Sequence, residues 1–336
     1  MGDRAPSFRF ARWLLFLFTA MTLLDFHPPQ TNTTLLTDLT SHVGNTPLLP
    51  LRRLGADLPP GVQVFAKAEW FNPGGSVKDR PAMNIIREAL AHGDLEAGKR
   101  LLDSTSGNMG IAYATFGAAL GIPVALVVPG NASRERILIL HALGAEVILS
   151  DPLEGSDGAI RTARELADRD PHRYWYANQY DNPANWRAHY QSTGPEILAQ
   201  TRGEVTHFVA GIGTSGTLVG TGRYLHEMAP TVQVIGFQPD APFHGLEGLK
   251  HIPTAIRPGI YDPGAADRSL EVRTEDAHRM VRRLAREEGL FVGISSGAAA
   301  VAALRVAREL QSGVVVTIFP DAGYKYLSDA ALWRDE

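Results

Sequence analysis

Cysteine is absent from the 336-residue chain. That excludes disulfides, thiolate metal sites and a thiol nucleophile together. The 11 histidines include no pair at metal-ligand spacing and nothing resembling His-Glu-x-x-His, so metal-dependent hydrolysis has no support. His42, His141, His207 and His244 read as structural or exposed. A net charge of −4 lacks the basic excess used on phosphate backbones, and no DNA- or RNA-reading motif is present. There is also no apolar run of comfortable membrane-spanning length. The nearest, residues 13–24, follows Arg4, Arg9 and Arg12 in the order of a signal peptide, yet no small-x-small cleavage site follows it. The preferred reading takes Met21 as the start and residues 1–20 as an upstream extension. Residues 1–35 are expected to form an N-terminal arm. Neither nucleic acid nor a membrane is expected as a partner, and the lack of cysteine fits a cytoplasmic protein.

Glycine and proline are plentiful, at 33 and 22 residues, and they punctuate a regular alternation. Residues 124–128 and 314–319 are nearly continuous apolar runs, and residues 62–69 alternate. Between such runs lie segments of helical periodicity, at 82–90, 111–120, 134–143, 158–169, 218–228, 274–288 and 298–310. Apolar strands alternating with helices imply parallel sheets covered on both faces. The expected fold is α/β: two three-layer domains with mostly parallel sheets, residues 36–185 and 186–330, which the chain length allows. Residues 188–200 read as helical with a break near Gly194-Pro195. Residues 240–270 read as a long loop, and Thr274 as a helix N-cap.

Three loops stand out. Asn72-Pro73-Gly74-Gly75-Ser76-Val77-Lys78-Asp79-Arg80 is a Gly-rich turn that delivers one lysine to the mouth of a helix, with Pro81 in its first turn. Lys78 is either a solvated surface charge or a buried amine of lowered pKa that forms a Schiff base with an aldehyde. Thr105-Ser106-Gly107-Asn108 joins a strand to a helix. It is either an ordinary N-cap or a seat for a carboxylate. Gly211-Ile212-Gly213-Thr214-Ser215-Gly216-Thr217 also joins strand to helix, and its glycines and hydroxyls suit a phosphate. It is not a P-loop, since no Gly-Lys-Ser/Thr ends it. A dinucleotide reading hangs only on Asp240 after the next strand. A lysine nucleophile, a carboxylate seat and a single-phosphate cup together describe pyridoxal phosphate acting on an amino acid.

With these motifs go Gly44-Asn45-Thr46-Pro47-Leu48, Gln179 with Asn182-Pro183, Thr193-Gly194-Pro195-Glu196 and Gly293-Ile294-Ser295-Ser296-Gly297. In this order, over residues 43–330, the chain resembles the cysteine synthase (O-acetylserine sulfhydrylase) family, close to the cysteine synthase B type, of the tryptophan synthase β-like fold (fold type II). The resemblance implies pyridoxal 5'-phosphate in a cleft between the two domains. It implies a Schiff base at Lys78, which also moves the Cα proton. Asn108 would meet the cofactor's ring hydroxyl, and Gly213, Thr214, Ser215, Gly216 and Thr217 its phosphate. Thr105, Ser106, Gly107, Met109 and Gln179 would line the substrate side. Met109 stands where this loop usually carries threonine. Ser295 is assigned to the pyridine nitrogen and Asp321 to a supporting place behind it.

The implied reaction replaces the β-substituent of an activated serine with sulfide or another sulfur donor, through an α-aminoacrylate, giving L-cysteine. O-acetylserine is the default substrate. O-phosphoserine stays open through Lys250, which aligns with an arginine of phosphoserine-using relatives and otherwise reads as a solvated loop lysine. The rivals are a cystathionine β-synthase-type condensation of serine with homocysteine, and a non-catalytic ligand- or partner-binding protein on the same scaffold. A homodimer is implied, and a serine acetyltransferase or sulfur-carrier protein is a candidate partner.

Overall fold

The computed structural model describes residues 38–334 apart from 96, 97 and 106; the expected arm over residues 1–35 lies outside them. In chain order, β1 (Leu48–Pro50) and β2 (Gly61–Ala68) precede α1 (Asp79–His92). Then come β3 (Arg100–Ser104), α2 (Asn108–Leu120), β4 (Val124–Pro129), α3 (Arg134–Ala142), β5 (Glu146–Ser150), α4 (Gly155–Arg169) and β6 (Tyr174–Tyr176). The remainder is α5 (Ala184–Ala188), α6 (Gly194–Gln200), β7 (Val205–Gly211), α7 (Gly216–Met228), β8 (Gln233–Pro239), β9 (Arg268–Val272), α8 (Thr274–Arg283), α9 (Ile294–Arg308) and β10 (Ser312–Phe319), closed by α10 (Ala330–Trp333).

Two sheets form, each with helices packed against it. The larger has the order β1-β2-β10-β7-β8-β9, parallel except for β1, which runs antiparallel to β2. The smaller has the order β5-β4-β3-β6 and is parallel throughout. Sequence explains the pairing. Every residue of β4 is buried, as its unbroken apolar run requires of a strand covered on both faces. β1 and β2 join the larger sheet although they lie within residues 36–185, so the sheets do not divide at residue 185. Parallel sheets open ligand crevices at the carboxyl ends of their strands. The three loops follow β2, β3 and β7, all at that end.

Three expectations change in detail. The 240–270 loop ends in strand β9, which the sequence hides because this edge strand buries only Leu270 and Val272. The break at Gly194-Pro195 is a π turn over His189–Thr193 that joins α5 to α6, with Pro195 in the first turn of α6, where its missing N–H breaks no intrahelical bond. Thr274 begins α8 instead of capping it, and its Oγ1 accepts from Gly245 N at 3.0 Å.

A buried charge network ties the motifs together. Arg80, on the first turn of α1, donates to both oxygens of Glu69 (2.7 and 2.9 Å) and both of Glu196 (2.7 and 2.8 Å). Lys67 Nζ lies 2.6 Å from Glu196 Oε2 and donates to Thr46 O at 3.0 Å. Thr46 Oγ1 and Asn72 Nδ2 complete the shell of Glu69 at 2.7 and 2.9 Å. Burial favours the neutral acids, but Arg80 and Lys67 outweigh it and hold Glu196 down at about 2. Because that folded value lies below the free value of 4.5, the stabilisation is complete above pH 4.5 and is lost as pH falls towards 2. Arg80→Met leaves two carboxylates buried without their main partner. It should cost about 3–5 kcal/mol in urea unfolding at pH 7, with a smaller deficit at pH 3.

Candidate active site

Lys78 precedes the first residue of α1, where two contacts fix its backbone. Val77 N donates to Pro320 O at 2.8 Å, and Lys78 N donates to Ser76 Oγ at 3.2 Å. The turn before it needs Gly75, whose φ of +76° is a left-handed conformation costly for other residues. The Lys78 ammonium makes no hydrogen bond or ion pair among the described residues. Burial pushes its pKa down to about 8, although Asp321 acts in the other direction. This lysine is half-buried and lines a cavity.

Thr105, Gly107, Asn108, Met109, Gln179, Gly213, Thr214, Ser215, Gly216, Thr217, Lys250 and Ser295 line the same cavity. Ser106 lies outside the described residues. Asp321 stands behind the wall, fully buried, where its Oδ2 accepts from Asn108 Nδ2 at 2.7 Å and from Tyr326 OH at 2.9 Å.

The loop after β7 is a cradle for an anion. It opens α7, a helix of 13 residues whose N-terminal dipole end faces the cavity. Ser215 is held at φ +72°, and its buried Oγ has no partner. A Cβ on Gly216 would fall 2.0 Å from Asn185 Oδ1, so the backbone approach there excludes any side chain. Asn185 Nδ2 donates to Thr214 Oγ1 at 3.1 Å. His189 pairs with Thr193 Oγ1 at 2.9 Å and Thr217 Oγ1 at 3.3 Å; burial, with Arg80 and Lys78 near, holds it neutral. An unpartnered hydroxyl, a helix start and a free lysine on one cavity fit a small phosphorylated aldehyde.

In the loop after β3 the hydroxyl of Thr105 turns inward. It accepts from Gly107 N at 3.1 Å and Gly110 N at 3.0 Å, capping α2. The hydroxyl of Thr105 thus serves the helix start, while its segment lines the cavity. Gln179 is oriented by Asp103, which accepts from its N–H at 3.1 Å, and by Ser104 O, which accepts from Nε2 at 2.7 Å. Met109 adds apolar surface to the wall and packs into the core around α2 and β4.

Lys250 is no solvated loop lysine. It is buried, its N–H donates to Ile212 O at 2.8 Å, and its Nζ lies 3.0 Å from Asp157 Oδ1 and 5.1 Å from the Tyr180 ring centroid. Nearby, Arg136 pairs with Glu247 and stacks 5.2 Å from the Tyr326 ring centroid. Sequence reading missed Arg136, Asp157, Tyr180, Glu247, Lys325, Tyr326 and His189. Lys325 and Tyr326 closely follow Asp321, which was the available signal. Nothing local separates Arg136 from exposed Arg134, two residues before it.

The profile of the family described as "Pyridoxal-phosphate dependent enzyme" matches residues 39–321. The chain is 55% identical over 299 residues to a cysteine synthase of Aquifex aeolicus, covering 88% of this chain and 91% of the relative. It is 45% identical over 288 residues to a cysteine synthase B of Pseudomonas aeruginosa, covering 85% and 94%. A crystal structure of a cysteine synthase from Entamoeba histolytica superposes with a TM-score of 0.85 at 34% identity, covering 92% of this chain and 94% of that one.

The lysine's environment carries its own test. With the cofactor stripped away, labelling of Lys78 by an aryl sulfonate, followed by mass spectrometry, should rise with pH through an inflection near 8. A freely solvated lysine amine titrates near 10.4. An inflection at the usual value for Lys78 would mean that its cavity is wet.

Proposed function

The chain belongs to the cysteine synthase family of pyridoxal phosphate-dependent enzymes, and from that membership we propose the substrate and the residue roles of its reaction. It forms L-cysteine from an activated serine and a sulfur donor. We take O-acetylserine as the activated serine and sulfide as the donor. The observation that carries this choice is the charge balance of the cavity wall. Lys250 and Arg136 each face a carboxylate, Asp157 and Glu247. A phosphate leaving group would have to share one of these cations with its carboxylate, whereas an acetyl group asks for no cation.

The cofactor, when bound, supplies an electron sink that acidifies the substrate Cα proton and lets the β-substituent depart. Lys78 Nζ holds it and then takes the Cα proton, a dual duty suited to an amine whose burial moves its pKa towards neutrality. The N–H groups of residues 213–217 and the Ser215 hydroxyl hold the phosphate. The start of α2 and Gln179 hold the substrate carboxylate. Ser295, on the first turn of α9, offers the ring nitrogen a neutral hydroxyl. Asp321 commits its Oδ2 to Asn108 and Tyr326 from behind the cavity wall, which supports its place behind the ring contact. In this reading the enzyme is a cytoplasmic homodimer, and its two lobes are residues 36–185 and 186–330, with β1 and β2 lent to the second.

A substrate panel checks the reading. With sulfide, O-acetylserine should turn over at least ten times faster, by kcat/KM, than O-phosphoserine or serine, and serine with homocysteine should be slower still. Lys78→Ala should abolish turnover and the visible absorption band. Lys250→Ala should lower the rates on both esters by similar factors. A loss confined to O-phosphoserine would transfer the leaving-group role to Lys250.

A further inference from the structure

Behind the cavity lies a further buried lysine that the reaction does not use. Lys325 sits on the short turn Gly323–Tyr326 after β10, almost wholly inaccessible. Its Nζ donates to Asn108 Oδ1 at 2.7 Å and to Gly75 O at 3.1 Å. On the other side of the same amide, Asn108 Nδ2 donates to Asp321 Oδ2 at 2.7 Å. Asp321 is itself held. Its Oδ2 also accepts from Tyr326 OH, its backbone O accepts from Gly293 N at 3.1 Å, and it bridges Ser76.

An asparagine amide has two nearly isosteric ends, and its orientation follows from its partners. Here the partners decide without ambiguity. An ammonium can only donate and an ionised carboxylate can only accept. Flipping the amide would set NH₂ against NH₃⁺ and C=O against a carboxylate, losing two charge-assisted hydrogen bonds at once. Asn108 also lines the cavity, and one of its two Nδ2 hydrogens remains uncommitted. The clamp therefore leaves a donor, not an acceptor, for whatever faces Asn108.

We propose that Lys325 is a positioning residue: with Asp321 it fixes the Asn108 amide so that an N–H is aimed at the ionised ring hydroxyl of the cofactor. The proposal rests on the reading above that Asn108 faces that hydroxyl. Lys325 acts at a second point as well. By holding Gly75 O it ties the lysine turn to the start of α2, so the group that anchors the cofactor and the group that meets its ring oxygen share one buried ammonium. A neutral or apolar side chain at this position frees the amide to rotate and removes the polarising charge from its oxygen.

The test compares wild type, Lys325→Met, Lys325→Gln and Lys325→Arg, with Lys78→Ala as the reference for lost attachment. Three quantities are read: the cofactor dissociation constant, from fluorescence quenching on adding pyridoxal phosphate to the stripped protein; the position of the visible band; and kcat against KM. Lys325→Met should raise the dissociation constant about 10-fold or more, the size of one lost charge-assisted hydrogen bond. It should also shift the band to shorter wavelength and lower kcat more than it raises KM. Lys325→Arg should restore the band and most of the affinity, and Lys325→Gln should lie between. Should Lys325→Met fail to fold, the Gln and Arg variants still decide the matter: a Gln variant with the wild-type band and affinity overturns the proposal. So does a Met variant that melts at lower temperature yet keeps both. A wild-type protein that takes up no pyridoxal phosphate would instead defeat the functional reading on which the proposal stands.

Discussion

The site depends on a buried set of four charges that cancel: Arg80 and Lys67 against Glu69 and Glu196. Desolvating ions is costly, and only mutual pairing with a full hydrogen-bond shell offsets that cost. The shell is drawn from Thr46, Asn72 and Gln200. This is why so many of the distinctive sequence segments are polar yet inaccessible. The Gly-Asn-Thr-Pro segment, the lysine turn and the Gly-Pro-Glu segment do not line the cavity through these side chains. They close one network. Its geometric consequence is the placing of α1, with Lys78 at its mouth, against β2 and the helix that carries Glu196.

From that anchor the catalytic arrangement follows with few further elements. β10 lies between β2 and β7, so its carboxyl end emerges between the lysine turn and the anion cradle. Pro320 and Asp321 are thereby placed to pin Val77 from one side and Asn108 from the other. The smaller sheet brings the start of α2 to the same cavity. Each contribution is a loop at the carboxyl end of a parallel strand. Among the described residues, charge at the cavity wall is balanced in the pairs Arg136–Glu247 and Lys250–Asp157, whereas the nitrogen of Lys78 is left without such a partner.

Much of this was legible before any coordinates. Strands such as β4 and β10 announce themselves because burial on both faces demands unbroken apolar runs. Lys78 and the 213–217 loop were legible because a Gly-rich turn before a helix has few purposes. The illegible parts share a physical reason: they depend on partners distant in sequence. Lys250 looks like a loop lysine until Asp157, 93 residues away, is placed beside it. Lys325 acquires meaning only through Asn108, 217 residues away. β9 was hidden because an edge strand with two buried residues has almost no apolar signature.

The π turn at His189–Thr193 has a further consequence. Its wider winding accommodates an extra residue within one continuous helical path. Upstream of its end, His189 reaches Thr217 in the anion cradle and Ser192 accepts from Arg80; downstream, Glu196 meets the same guanidinium. The angular phase between these side chains is therefore part of the design. Removing a single residue here would turn everything beyond it by about 100°, pulling Glu196 away from Arg80 while His189 stayed in place. The segment tolerates changes of side chain far better than changes of length, whereas the long connection between β8 and β9 is under no such rotational constraint. Length variation among such proteins should accordingly gather in that connection and avoid residues 184–200.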